Sequence, residues 1–414
     1  MIDTTHQQIS PVSAAELMAP SFVDRLQRRA VMTGVVLGIA SVIGAFFDAE
    51  QFFRSYLVGF MGVLGLTLGG LGLLMLQYVT KGNWGFVLRR QFEAASRTLW
   101  LPALIFVPLA VWVGMGHMYP WAIPRHPSLS TDEFAKAKYQ DWLNPHGYIA
   151  RAVVYFLFWF VMITLLNRWG KWQDQRPEDA MTTSHRYQKL SGPGIIFWSF
   201  LVTFGATDWV GSLDPQWFST IFGMIFMVGE AMIMLTFCIL LTNQLAKYKP
   251  VSEIMQPTYW HDLGNLSLTL VMLFAYLSFS QFLITWSGNL PEEIEFYVRR
   301  TNGNWAPIAL IIVLFHFAIP FFLLLHKPMK RNPHRLIWIA GMLFVSRYID
   351  LTWYIMPSFH DNTAHTSMWW MGFTVPVAML GIWIAVFCAE LKKRPLYPIH
   401  DLLWPEITVH HHGY

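Results

Sequence analysis

Five ionisable residues stand well inside long apolar runs: Asp208, Glu230, His316, Arg347 and Asp350. A charge near the centre of a bilayer costs about 2.5–3.5 kcal/mol on insertion scales, so such groups face a protein interior and have a partner or a use there. Arg347 and Asp350 are spaced i, i+3, which on a helix places them on one face within pairing reach. Burial and a neighbouring guanidinium pull the proton affinity of a carboxylate in opposite directions, so one such set can contain groups that hold a proton and groups that release one. The chemistry this pattern suggests is a proton relay. Glu230 and His316 would exchange protons near the membrane midplane, Asp350 and Asp208 would lead outward, and Arg347 would keep neighbouring carboxylates ionised. Tyr276, Ser278, Ser280 and Gln281, with Thr236, Asn265, Ser267 and the pair His261 and Asp262 toward the other end, would extend the relay with water. The plainer reading is a buried ion cluster that fixes helix packing, with His316 hydrogen-bonded to a carbonyl. Arg151 and Tyr155 read as structural, Arg151 reaching the headgroups along its aliphatic stem.

The elements that must position these residues are membrane helices. The chain of 414 residues is 54% hydrophobic and 13% charged, with a mean hydropathy of +0.38. An ordinary soluble domain carries about 25% charged residues, so a soluble globular enzyme is excluded. Ten apolar runs, at 30–47, 56–79, 98–116, 148–168, 193–213, 218–242, 263–286, 306–326, 336–356 and 369–389, are each long enough to cross a hydrocarbon core of about 30 Å at about 1.5 Å per residue. The fold class is therefore an all-α polytopic membrane protein, read as one integral domain over 1–414. Residues 1–29 form a polar segment before the first helix, and 390–414 form a tail after the last.

The first apolar run has no A-x-A cleavage pattern after it, so it reads as an uncleaved helix and not a signal peptide. Segments on the side of the N-terminus carry most of the Lys and Arg, from Arg25, Arg28 and Arg29 through Arg89, Arg90, Arg97, Lys171, Lys247, Lys330 and Arg335 to Lys392, Lys393 and Arg394. Opposite loops carry fewer, among them Arg54, Arg125, Lys136, Lys138, Arg151, Arg299 and Arg300. The positive-inside rule then places both termini in the cytoplasm. The net charge of +4 thus reports orientation, and nucleic acid is excluded as a partner. Aromatic residues such as Trp84, Tyr119, Trp217, Trp286 and Trp370 flank the runs as interfacial belts do.

Helices five and nine each carry an aspartate seven residues before a proline, Asp208 with Pro215 and Asp350 with Pro357, with Trp209 and Trp353 nearby. The match suggests two similarly oriented four-helix bundles, helices 2–5 and 6–9, with helices 1 and 10 peripheral. The longest loop, 117–147, holds Pro120, Pro124, Pro127 and Pro145 and is too short for a soluble domain. Cys238 and Cys388 lie inside apolar runs, and there is no CxxC or CxxCH motif, so a disulfide framework and a c-type haem are not expected. Of 15 histidines only His316 is deep in a run, with His117 and His326 at ends, which leaves no facing pairs for bis-histidine haem. His410, His411 and His412 form a terminal tract with metal-binding chemistry, read here as an exposed tail, and no metal site is assigned.

The stretch His261 to Glu293, HDLGNLSLTLVMLFAYLSFSQFLITWSGNLPEE, resembles the NrfD-like (polysulfide-reductase-C-like) membrane subunits. So do Met75 to Pro102, MLQYVTKGNWGFVLRRQFEAASRTLWLP, and Gly116 to Ala122, GHMYPWA. The likeness is strongest to the ActF-like branch found in bacterial alternative complex III and extends over nearly the whole chain. It implies ten helices in two four-helix bundles and a place in a quinol-oxidising respiratory complex of the bacterial cytoplasmic membrane. The partners it implies are a paralogous ActC-like subunit, an iron-sulfur subunit and c-type cytochromes, with a terminal oxidase as a further one. Quinol would be oxidised at the ActC-like subunit, and the haems and iron-sulfur clusters would belong to those partners, with no cofactor bound by this chain. Its five intramembrane positions would match the family's polar pathway, giving a supporting or proton-conducting role. Two other functions fit the residues: a quinone site using His261 or Asp262, and a stand-alone secondary transporter.

Overall fold

The computed structural model describes residues 17–123, 142–176, 178, 180–359, 368–398 and 400–404. The proline-bearing stretch 124–141, with Arg125, Lys136 and Lys138, and the histidines His410, His411 and His412 lie outside these residues. Ten helices are long and apolar enough to cross a membrane: α1 Ser21–Ala45, α2 Ala49–Thr80, α3 Arg89–Gly114, α4 Pro145–Gln175, α5 Ala180–Leu213, α6 Phe222–Leu245, α7 Pro257–Gly288, α8 Gly303–Leu325, α9 Pro333–Ser358 and α10 Met371–Leu391. Among the described residues there is no strand, and the protein is a polytopic helical membrane protein.

Local sequence sets the helix ends. Asp48 caps α2 by accepting from the backbone N–H of Gln51 (2.9 Å), and Asn144 caps α4 through the N–H of Gly147 (2.7 Å) with Pro145 in the first turn. Asn332 and Pro333 start α9 in the same way, and α7 ends at Asn289 in the left-handed region, φ 46°. In α8 the segment Val313–Ala318 is π-helical. Pro320 explains it, because its nitrogen has no hydrogen for the carbonyl four residues back, that of His316, and its ring crowds that carbonyl.

α2 is the central helix, with 94% of its apolar window buried. It packs against α3, α5, α6, α9 and α10, while α1 packs along α10. Helix ends gather on two faces. On the first face, where α1 begins, Lys392 donates to Asp24 (2.7 Å), Lys330 donates to Asn265 (2.7 Å), and the N–H of Leu396 donates to the carbonyl of Leu17 (2.8 Å). On the second face, the loops after α5 and α7 and the end of α9 meet at Asp214.

Several helices extend beyond their apolar runs. α1 starts at Ser21 and not at residue 30, so part of the N-terminal segment expected to be non-helical belongs to the first helix. α5 starts at Ala180 instead of 193, and α3 at Arg89 instead of 98. The α3 extension is buried: Arg89, Arg90 and Glu93 are each at most 3% exposed. Arg89 and Arg90 are therefore interior cations and not loop charges at the water interface, and Arg97 is half-buried beside them. Glu93 explains why they can be buried, accepting from Arg90 (2.7 Å), Arg394 (3.2 Å) and Arg89 (3.3 Å), with Arg97 at 3.9 Å.

The C-terminal strand of chain after α10 is tied into this set. Arg89 also donates to Asp401 and to Gln173 (2.9 Å), Arg90 pairs with Asp174, and Arg97 donates to Glu390 (3.0 Å). Burial works to raise the Asp401 carboxyl, but Arg89, the N–H of Leu403 and Gln173 outweigh it and hold the group below its usual range. A carboxyl lowered on folding contributes stability above its unfolded value of about 4 and loses it as the pH falls through the folded value. Protection from hydrogen exchange over residues 392–404, taken relative to the intrinsic rate at each pH, is thus expected to be flat from pH 8 to about 5 and to fall below about pH 4. Asp401→Asn is expected to lower that protection at pH above about 4 by removing charge-assisted bonds of about 1.5–3 kcal/mol. Equal exchange in the variant and the parent protein would show that Asp401 does not hold the tail.

Candidate functional site

Four of the five intramembrane ionisable residues come together where α2, α6, α8 and α9 meet. Glu230 is 3% exposed, His316 0%, Arg347 2% and Asp350 1%. Arg347 pairs with Asp350 one turn along α9, as the i, i+3 spacing requires. Its guanidinium also lies across α6: a Cβ added to Gly229 would stand 2.3 Å from Cζ of Arg347, so only glycine admits the side chain there. The neighbouring residue on α6 is Glu230. Its own close approach to α2 depends on Gly69, where a Cβ would fall 2.0 Å from the carbonyl oxygen of Glu230. The ring of Phe226 completes the wall, 5.1 Å from the guanidinium.

His316 enters from α8 through the π-helical turn. Its neighbours Val313, Leu314 and Phe315 are exposed on the outer side of the bundle, whereas His316 is fully buried with its ring 4.3 Å from that of Phe274 on α7. Neither imidazole nitrogen has a hydrogen-bonding partner among the described residues, so the expectation of a carbonyl partner fails. Oε2 of Glu230 is likewise without a partner among the described residues. The arrangement thus holds one tight ion pair and, around it, polar atoms with hydrogen-bonding capacity to spare.

Asp208 is elsewhere. It lies near the second-face end of α5 and accepts from Arg151 Nε (2.7 Å) and Nη2 (2.9 Å), Tyr155 Oη (2.8 Å) and Trp142 Nε1 (3.2 Å). Four donors from three side chains satisfy its carboxylate, and Arg151 turns inward to this pair instead of toward the headgroups. Proximity cannot be read between residues 57 apart in sequence, so this pair has no signal before folding. The matched aspartates of α5 and α9 therefore have different partners, one on a neighbouring helix and one on its own.

The supporting polar residues divide in the same way. Tyr276 is 67% exposed and points away from the cluster, and Gln281 donates to Thr285 (3.1 Å). Thr236 and Ser267 donate to carbonyls of their own helices, Met232 (2.8 Å) and Leu263 (2.8 Å). His261 and Asp262 sit in the first turns of α7 at the first face, partly exposed and 3.8 Å apart, and do not join the interior cluster. Among the described residues no group of three or more His, Cys, Asp or Glu is arranged to hold a metal ion.

Two further ionic sets escape sequence reading. One is Glu93 with its arginines, for which the spacing Arg89, Arg90, Glu93, Arg97 was a visible i, i+3 and i, i+4 signal. The other is Asp214, which accepts from Arg299 (2.8 Å), Arg300 (3.0 Å) and Ser358 (2.6 Å) at the second face. Arg300 is 0% exposed and also donates to the carbonyls of Phe296 (2.9 Å) and Tyr354 (2.8 Å). Beside this set opens a cleft of about 540 Å³ with aromatic walls that include Trp112 and Trp217. Comparison of the chain with protein-family models finds no match, and comparison with curated proteins finds none either.

Proposed function

We propose that the chain is a non-haem integral subunit of a respiratory quinol oxidoreductase of the alternative complex III kind, a member of the NrfD-like group in the bacterial cytoplasmic membrane. In this reading it gives the complex a membrane bundle and conducts protons through Glu230, His316, Arg347 and Asp350. The observation that carries it is the buried cluster itself, in which Oε2 of Glu230 and both nitrogens of His316 lack partners around the Arg347 and Asp350 pair. A cluster serving packing alone would be expected to satisfy its polar atoms, because each one buried without a bond costs about 1–3 kcal/mol. Groups that accept and release protons need that capacity open. The resemblance of residues 75–102, 116–122 and 261–293 to NrfD-like subunits supports the respiratory setting. Electron carriers belong to partner chains in this reading.

The test has two parts. Native purification in mild detergent should bring down c-type cytochrome and iron-sulfur chains whose visible spectrum changes on adding quinol; the chain purified alone and spectrally silent would remove the respiratory setting. In the purified assembly, Glu230→Gln and His316→Ala are expected to leave the subunits together while lowering proton movement per quinol oxidised about tenfold. Normal coupling in both variants would leave a scaffold.

A further inference from the structure

The turn between α8 and α9 carries the sequence KPMKRNPHR over residues 327–335, with four cations and no acid. Its short helix Lys327–Arg331 lies at the first face against α7. Lys327 and Arg331 are exposed, but Lys330 is turned inward and is only 7% exposed. Gly264 makes room for it: a Cβ there would stand 2.6 Å from Cγ, 2.8 Å from Cβ and 3.0 Å from Cδ of Lys330, so the aliphatic stem lies in a groove across α7. At the end of the groove the ammonium donates to Oδ1 of Asn265 (2.7 Å), a neutral acceptor.

No carboxylate lies within ion-pair distance of Lys330 among the described residues. Asp262, in the first turns of α7, has a side chain 49% exposed and stands beside His261, and Glu253 pairs with Lys249 (2.6 Å). A buried cation is stable when an anion and hydrogen bonds replace its lost water. An ammonium has three donors, and Asn265 uses one of them. The site is therefore built for an anion with several acceptor oxygens. Its surroundings say which kind. Phe322 and Leu325 on the last turns of α8 and Trp338 on the second turn of α9, 81% exposed, form an apolar flank on either side of the basic turn. A ligand whose anionic head meets Lys330 would have its apolar part run along these residues, within the membrane.

We propose that Lys330, held by Asn265 and the Gly264 groove and flanked by Lys327 and Arg331, binds the headgroup phosphate of an anionic phospholipid. The phosphate supplies the countercharge that the chain does not. Basic residues at a membrane surface each add attraction for anionic lipid, and the buried member adds specificity because its pairing is not screened by water.

Native mass spectrometry of the full chain, released from mild detergent after incubation with equal amounts of phosphatidylglycerol and phosphatidylcholine, tests this. The unmodified chain is expected to retain phosphatidylglycerol about tenfold better, and Lys330→Gln, which keeps a stem and a donor but no charge, is expected to abolish the preference. Equal retention of the two lipids by the unmodified chain would overturn the proposal, and that measurement decides it even where the variant does not fold. An undiminished preference in folded K330Q would also overturn it. Displacement of the lipid by millimolar inorganic phosphate would reassign the site to a soluble phosphate. Retention of a quinone analogue lost in K330Q, with no lipid preference, would reassign it to a quinone head.

Discussion

Replacing Glu93 by glutamine is expected to lower the melting temperature of the purified protein by about 5–10 °C. The residue is 1% exposed and is the shared anion of Arg89, Arg90 and Arg394 within 3.3 Å, with a fourth guanidinium, Arg97, at 3.9 Å. Removing one member of a buried ionic set costs about 3–5 kcal/mol, because the charge left behind can neither be hydrated nor be neutralised by losing a proton from guanidinium. Asp401 and Asp174 remain to pair with Arg89 and Arg90, but among the described residues Arg394 on the C-terminal segment keeps only the neutral carbonyl of Asn167 (2.9 Å). Loss should therefore be felt first there, as proteolysis of the tail at temperatures where the parent chain resists. The double variant Glu93→Gln with Arg394→Gln should recover part of the loss by removing a stranded cation. A melting temperature for E93Q within about 1 °C of the parent would refute the central place of this residue.

The second large effect is expected at Arg347. Arg347→Met strands Asp350 in the bundle interior and removes the cation beside Glu230 and His316. The expected cost is again about 3–5 kcal/mol, seen as a fall in folded protein recovered from the membrane. Arg347→Met combined with Asp350→Leu replaces the whole pair by apolar side chains, a change that is often neutral or stabilising in other buried pairs. The double variant separates two roles. Recovered folding with coupling still lost means that the ionic groups act in proton transfer. Recovered folding together with full coupling means that they hold helices together, and the proposed relay is then wrong.

Ten apolar runs predicted the ten helices because length at 1.5 Å per residue and freedom from charge are strict demands of a hydrocarbon core. Helix ends were less legible, and for a specific reason. α3 and α5 continue past their apolar runs into segments such as Arg89–Ser96, where side chains are polar but buried against other chain segments. A polar residue covered by protein and one covered by water look alike in sequence. The pair Arg347 and Asp350 was legible because helix geometry alone brings i and i+3 together. Asp208 was expected to extend the relay, yet Arg151, Tyr155 and Trp142 claim it through contacts that depend on how α4 and α5 pack. The inward turn of His316 had a readable cause in Pro320, four residues on, but the direction of the resulting shift depends on the neighbours α7 and α9.

The contacts that close the first face also order events in time. α1 packs along α10 so closely that a Cβ on Gly381 would meet the backbone of Gly34 at 2.9 Å, and Arg394 and Asp401 reach back 301 and 312 residues to Glu93 and Arg89. The ribosome makes α1 long before these partners. Until α10 and residues 392–404 are made, α1 has α2 to pack on but not α10, and the arginines of α3 lack two of their four anions, Glu390 and Asp401. Closure of this face therefore waits for α10 and residues 392–404, and a chain truncated within 392–404 would enter the membrane with its spans in place and its basic interior open to proteolysis.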